Sequence, residues 1–244
     1  MRNSIARLKG DRTRRSGEGK TTQVYATDVD YGLIVMSAAN PKFSSNILDK
    51  YLLLCEYGGV TPLIILTKID LIREAPSVLD YYTQALGIKV VLTSVTTHEG
   101  IKDLLSSING KTCVVLGRSG VGKSSLINAL KGDSKIRVGE VSDRFGEGKH
   151  TTTSTEKYQI NESTWVIDTP GLRTIDVSHM DPKTLKELYP DFVKLAGKCK
   201  FGNCLHSTEA ECAIKDAVAQ GLLAKERYEN YLKIGEFANV VHHG

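Results

Sequence analysis

The chain has 244 residues, 41% hydrophobic and 25% charged, with a formal net charge of +4; this is an ordinary balance for a globular protein with enough chain for a real core. No apolar run approaches the roughly 18 residues a membrane span requires, and no apolar stretch follows the basic N-terminus, so neither a span nor a secretory signal is expected. The charge is uneven: residues 1–23 carry seven basic side chains against two acidic ones, a local +5 that leaves −1 for the remainder. Such an arm suits phosphate backbones or an anionic surface, and equally a solvated chain end.

In chain order, aliphatic and β-branched runs alternate with helical patterns. A strand is expected at 31–37, a helix at 46–57, a strand at 62–66, a helix at 77–86 and a strand at 89–92. A helix at 101–108, a strand at 112–116, a helix at 123–130 and a strand at 164–167 follow. This alternation predicts βαβ units, an α/β class and a mostly parallel sheet. Residues 139–155, punctuated by Gly139, Gly146 and Gly148 and ending in three threonines, show no hydrophobic period and are expected to form a mobile loop. Beyond about residue 180 the pattern turns helical and cysteine-containing.

Residues 117–124 read Gly117-Arg118-Ser119-Gly120-Val121-Gly122-Lys123-Ser124, a complete phosphate loop between a strand and a helix that opens with Ser125. Glycines let the backbone N–H groups wrap phosphates, Lys123 reaches the β- and γ-phosphates, and the Ser124 hydroxyl ligates magnesium. The helix N-terminus adds favourable dipole charge. Asp168-Thr169-Pro170-Gly171 follows the last strand; Asp168 suits a magnesium partner and the Gly171 amide a γ-phosphate contact. Thr151 or Thr152 would complete the magnesium shell. GTP or GDP with Mg²⁺ is the expected ligand.

Thr67-Lys68-Ile69-Asp70 ends the strand at 62–66. A carboxylate there accepts from the guanine ring N–H and exocyclic amine, whereas adenine leaves it unpaired, which argues against an ATPase. Lys68 would lie along the base. Thr67 stands where Asn is usual, and its shorter hydroxyl suits bracing the phosphate loop. Ser94 and Val95, after the next strand, are placed to give a backbone N–H to the guanine oxygen. Leu172 occupies the position where many GTPases carry a water-orienting Gln, so slow intrinsic hydrolysis is expected, with His150 the candidate to position the water.

Cys199, Cys204, His206 and Cys212 form C-x4-C-x-H-x5-C. Three thiolates and one imidazole make a closed, structural tetrahedral Zn²⁺ site that staples a module with little core of its own. Cys55 and Cys113 read as core residues. The expected division is a basic arm over 1–23, a GTPase domain over 24–180 and a helical zinc-binding domain over 181–244.

The guanine reader precedes the phosphate loop, the reverse of the ordinary order. With the Gly148-Lys149-His150-Thr151-Thr152-Thr153 run and the cysteine–histidine spacing, the chain resembles the circularly permuted GTPases of the RsgA/YjeQ type from about residue 24 to about 238. The resemblance implies a GTPase that binds the small ribosomal subunit and its rRNA, acts in late maturation, and hydrolyses GTP slowly until the subunit stimulates it. A cytoplasmic location is the default expectation from the bulk properties, and a monomer is expected because nothing in the sequence suggests an obligate dimer. The resemblance also raises His150 to a catalytic residue. That family begins with an OB-fold barrel; the 23-residue arm resembles only its end. The competing expectation is a GTP-liganded rRNA-binding protein with negligible turnover. With about 27 residues between Gly171 and Cys199, the γ-phosphate contact is expected to bias the zinc domain.

Overall fold

The computed structural model describes residues 3–9, 21–132, 138–140, 155–168, 177 and 180–240. Its strands are β1 (Ser4–Lys9), β2 (Thr21–Thr27), β3 (Tyr31–Ser37), β4 (Thr61–Thr67), β5 (Val90–Leu92), β6 (Thr112–Leu116), β7 (Val138–Glu140), β8 (Glu156–Gln159) and β9 (Trp165–Asp168). The helices are α1 (Ser45–Gly58), α2 (Val78–Gln84), α3 (Ile101–Ile108), α4 (Lys123–Lys131), α5 (Pro182–Glu187), α6 (Pro190–Ala196), α7 (Ala213–Ala219) and α8 (Lys225–Val240).

The main sheet has seven strands in the order β5-β4-β3-β6-β9-β8-β7. The first five run parallel, β8 pairs antiparallel to β9, and β7 pairs antiparallel to β8. The central strands are apolar throughout because helices cover both faces. Successive residues therefore divide between two cores. Ile34, Met36, Ile64, Leu66, Val114 and Leu116 pack with α1 and α2 on one face. Leu33, Val35, Leu63, Ile65 and Val115 pack with α3 and α4 on the other. Cys55 and Cys113 are buried, one in each core, as expected.

Two strands of the main sheet escape the sequence reading. β8 is polar and only half-buried; its place comes from backbone pairing to β9 and not from any hydrophobic alternation. The loop expected from 139 begins inside β7, which pairs with β8. Residues 141–154 lie outside the described part. Lys157 stacks its ammonium 4.6 Å from the Trp165 ring centre across the β8–β9 edge.

The basic arm is not a solvated end over its first stretch. β1 and β2 form an antiparallel pair, so β2 crosses the expected boundary at 23/24. Ile5 is fully buried in the core under α1. Gly58 permits this approach, since a Cβ there would lie 2.0 Å from the Ser4 carbonyl oxygen.

The C-terminal helices share a third core, in which Leu53 of α1 packs with Tyr189, Phe192, Ile214, Tyr231 and Ile234. At its centre Arg227 is 2% exposed. Its Nε donates to Asp191 Oδ2 at 2.6 Å and its Nη2 to Asp191 Oδ1 at 3.1 Å, while Nη1 donates to Asp49 of α1. Tyr82 and Asn230 each donate to Asp49 at 2.8 Å. Burial alone would lower the Arg227 pKa, but the two carboxylates outweigh it and hold the guanidinium well above its ordinary value. Breaking a buried pair leaves an uncompensated charge, so Arg227→Met is expected to cost about 3–5 kcal/mol of stability, read from the urea midpoint.

Candidate nucleotide site and metal cluster

Parallel strands place their carboxyl ends on one edge, and ligands bind beyond that edge. β4 ends at Thr67, β6 at Leu116 and β9 at Asp168, with β3 between β4 and β6. The phosphate loop leaves β6 in a turn that only glycine allows at its start. A Cβ on Gly117 would lie 2.6 Å from the Val35 carbonyl oxygen. Arg118, Ser119 and Gly120 are exposed at the loop's crest, and Val121 is buried against the core beneath it. The loop runs through Gly122 directly into α4, so Lys123, Ser124 and Ser125 form that helix's first turn. Both serines are exposed, and the Lys123 ammonium folds over the loop to donate to the Gly117 and Arg118 carbonyls at 2.7 and 2.8 Å. Asp168 lies in register with Val115, two residues before the loop begins.

The reader segment is tied to this loop directly. Thr67 is 2% exposed; its hydroxyl lies 2.6 Å from the Val121 carbonyl oxygen and 3.1 Å from that of Met36. The substitution of Thr for the usual Asn thus keeps the brace. Lys68 adopts a left-handed backbone (φ 59) and donates through Nζ to the Gly120 carbonyl at 2.8 Å and to the Asn40 carbonyl. Asp70 projects from a 3-10 turn over Ile69–Leu71 and is exposed. Ser94 is buried; its hydroxyl accepts from the Thr97 N–H at 3.1 Å, and Val95 follows half-buried. Thr67, Lys68, Asp70, Ser94, Val95, the phosphate loop and Asp168 therefore meet at one sheet edge. His150, Thr151, Thr152, Gly171 and Leu172 lie outside the described residues.

Sequence reasoning missed the loop after β3, whose Asn40 carbonyl holds Lys68. The available signal was positional: it leaves the carboxyl end of a central strand beside both motifs.

The four metal-ligand candidates also come together, with their donor atoms all within 4.8 Å of one another. His206 Nδ1 lies 3.6 Å from Cys199 Sγ and 3.5 Å from Cys212 Sγ. Zinc bonds of about 2.3 Å to sulfur and 2.0–2.1 Å to nitrogen give a tetrahedral N···S edge of about 3.5 Å. The set thus fits zinc through Nδ1. Burial, then the neighbouring Cys212 and Cys199, push the Cys204 thiol up to about 12, despite a compensating contact with the His206 backbone; a divalent cation reverses that crowding.

Side chains from α5, α8 and the turn itself clasp the backbone of this ligand turn. Lys186 Nζ donates to the Cys204 carbonyl at 3.1 Å, Tyr231 to that of Leu205 at 2.5 Å and Tyr228 to that of His206 at 2.8 Å. The Glu209 carboxylate accepts from the Leu205 and Ser207 N–H groups at 2.7 and 2.9 Å. None of these four was marked by the sequence, because their partners are main-chain atoms that leave no residue-type pattern.

Among known proteins, the family profile described as RsgA GTPase matches residues 9–178. The chain belongs to the RsgA GTPase family. Membership makes it a GTP hydrolase by class, with circularly permuted motifs. It is 40% identical over 211 residues to the small ribosomal subunit biogenesis GTPase RsgA of Geobacillus thermodenitrificans, covering 84% of this chain and 71% of that protein. Its counterparts of the same description in Haemophilus influenzae and Dickeya dadantii are 38% and 39% identical, over 84% and 86% of this chain and 60% and 62% of theirs. The chain thus spans about three-fifths to seven-tenths of the length of these relatives. Among solved structures, YjeQ from Thermotoga maritima superposes with a TM-score of 0.72 at 31% identity, over 91% of this chain and 74% of that one. YloQ, described as a circularly permuted GTPase, gives 0.66 at 31%, over 87% and 69%. Among the described residues no helix is long and apolar enough to cross a membrane.

Cys55 and Cys113 are buried, so the metal-loaded protein is expected to react slowly with a thiol reagent. A strong chelator should release three fast-reacting thiols and reduce the helical circular dichroism. Unchanged thiol kinetics after chelation would rule out the metal cluster.

Proposed function

We propose that this chain is a guanine-specific GTP hydrolase that acts in the cytoplasm, as a monomer, on the small ribosomal subunit during its late maturation. The observation that carries the reading is the direct coupling of reader and phosphate loop: the Thr67 hydroxyl on the Val121 carbonyl and the Lys68 ammonium on the Gly120 carbonyl. These bonds fix the distance between a base held by Asp70 and phosphates held by the loop. The ribosomal role rests on what the relatives are described as doing.

In the proposed mechanism the α4 N-terminal amides and Lys123 neutralise the phosphates, and Asp70 selects the base through two charge-assisted hydrogen bonds. Ser124, Asp168 and Thr152 are the residues that would hold magnesium, which when bound neutralises charge on the β- and γ-phosphates. Thr151 and Gly171 are proposed γ-phosphate contacts, and Ser94 and Val95 contact the guanine oxygen. His150 orients the attacking water. Leu172, next to Gly171, cannot take that part, which leaves intrinsic turnover slow until the subunit stimulates it. The helices from residue 181 on form a zinc-stapled module, with the GTPase domain before it and the β1–β2 pair as its N-terminal arm. Both ends supply rRNA contacts.

Leu172 also favours a second reading, a GTP-liganded rRNA-binding protein that scarcely turns over. Rates of GTP hydrolysis with and without purified small subunits separate the two. A large stimulation is expected, and equal, negligible rates would establish the binding protein instead. Asp70→Ala removes two hydrogen bonds of roughly 1.5–3 kcal/mol each, so preference for GTP over ATP should fall by about a hundredfold or more in a competition assay.

A further inference from the structure

The loop after β3 is held at both ends. On the nucleotide side the Ala38 N–H donates to the Thr67 carbonyl at 2.9 Å. Asn40, in a left-handed backbone (φ 49), presents its carbonyl to the same Lys68 ammonium that grips Gly120. Five residues later the chain enters α1, and there α8 takes hold. The Ser45 hydroxyl donates to the Glu226 carboxylate and accepts from Asn230 Nδ2 at 3.1 Å. Asn230 donates also to Asp49 Oδ2 at 2.8 Å, one turn further along, where Arg227 joins. Ser45, Asp49, Arg227 and Asn230 are all 5% exposed or less, whereas Glu226 is exposed; the buried bonds of the group are those that Asp49 makes with Asn230 and Arg227 and that Asn230 makes with Ser45.

We propose that Asn230 and Arg227, on α8, are positioning residues for the nucleotide site. By fixing Ser45 and Asp49 they hold the Asn40 carbonyl under Lys68, and Lys68 in turn stays beside the phosphate loop. The inference rests on the guanine-nucleotide reading given above. It differs from the covalent connection through Gly171, because the route runs through α1 and does not involve the γ-phosphate contact. An apparent dissociation constant is the intrinsic one divided by the fraction of molecules already in the competent arrangement. Loosening the α8 clamp lowers that fraction and weakens binding without touching any nucleotide contact. Linkage is reciprocal, so bound nucleotide strengthens the docking of α8 by the same factor.

The test uses the full chain and a fluorescent GDP analogue, with ATP as competitor. Ser45→Ala and Asn230→Ala are expected to weaken GDP binding about fivefold or more and to leave the guanine-over-adenine preference intact, because Asp70 is untouched. Ser45→Thr, which keeps the hydroxyl, is expected to restore affinity. In the unmodified protein GDP should slow hydrogen exchange across α8, and in Ser45→Ala it should not. Circular dichroism and bound metal establish that each variant is folded; because Ser45→Ala buries no charge, it remains informative where Arg227 variants unfold. Folded Ser45→Ala and Asn230→Ala proteins with unmodified affinity, and α8 exchange indifferent to GDP, would overturn the clamp. If the unmodified protein binds GDP no better than ATP, the guanine reading falls, and the clamp resting on it falls too.

Discussion

Strand β3 hydrogen-bonds on one side to β4, which ends in the base-reading segment, and on the other to β6, which ends in the phosphate loop. With all three parallel, their carboxyl ends must share an edge, whatever the order in which the chain visits them. The reversed motif order is therefore structurally silent at the site. Its effects appear elsewhere, in which helices the strands lead into and what those helices meet. The loop that leaves β3 enters α1, and α1 is the element on which the C-terminal helices rest.

The pattern of the sequence disclosed the parts of the fold whose hydrophobicity matched their geometry. β3, β4 and β6 are apolar on both faces, and their runs could be read to within a residue. β8 could not, since it is polar and gains its place from main-chain pairing to β9. β1 was obscured by its setting: one deeply buried Ile5 in a strongly basic arm is too little to declare a strand. At the site, Gly117, Lys123 and Asp70 were legible by residue type, and Thr67 by its place at the head of the segment that Asp70 closes. Asn40 was not, because it contributes a carbonyl that any residue possesses. Tyr228 and Tyr231 escaped in the same way, since their hydroxyls reach backbone atoms of a turn distant in sequence.

The C-terminal helices illustrate how a small unit compensates for a limited core. The cysteine–histidine cluster fixes the turn at 199–212, aromatic rings of Tyr189, Phe192 and Tyr231 fill the space beside it, and the buried charges face α1. Tyr189 and Phe192 lie 4.8 Å apart, and Tyr231 meets Tyr189 edge-on at 5.1 Å. The Arg227 guanidinium also lies 4.5 Å from the Tyr189 ring centre. Polar and aromatic groups thus share one interface, so its geometry is specified more narrowly than an oily contact of equal area would be.

The Asp49–Arg227–Asp191 cluster also constrains how descendants of this chain can diverge. Substituting one member strands its neighbours' charges away from water, so viable lineages must exchange the three together or pass through a partner change that compensates first. Positions 49, 191 and 227, separated by most of the chain, are thereby bound into a single heritable unit. Divergence across this family should leave covariation among them where the surrounding surface has drifted freely.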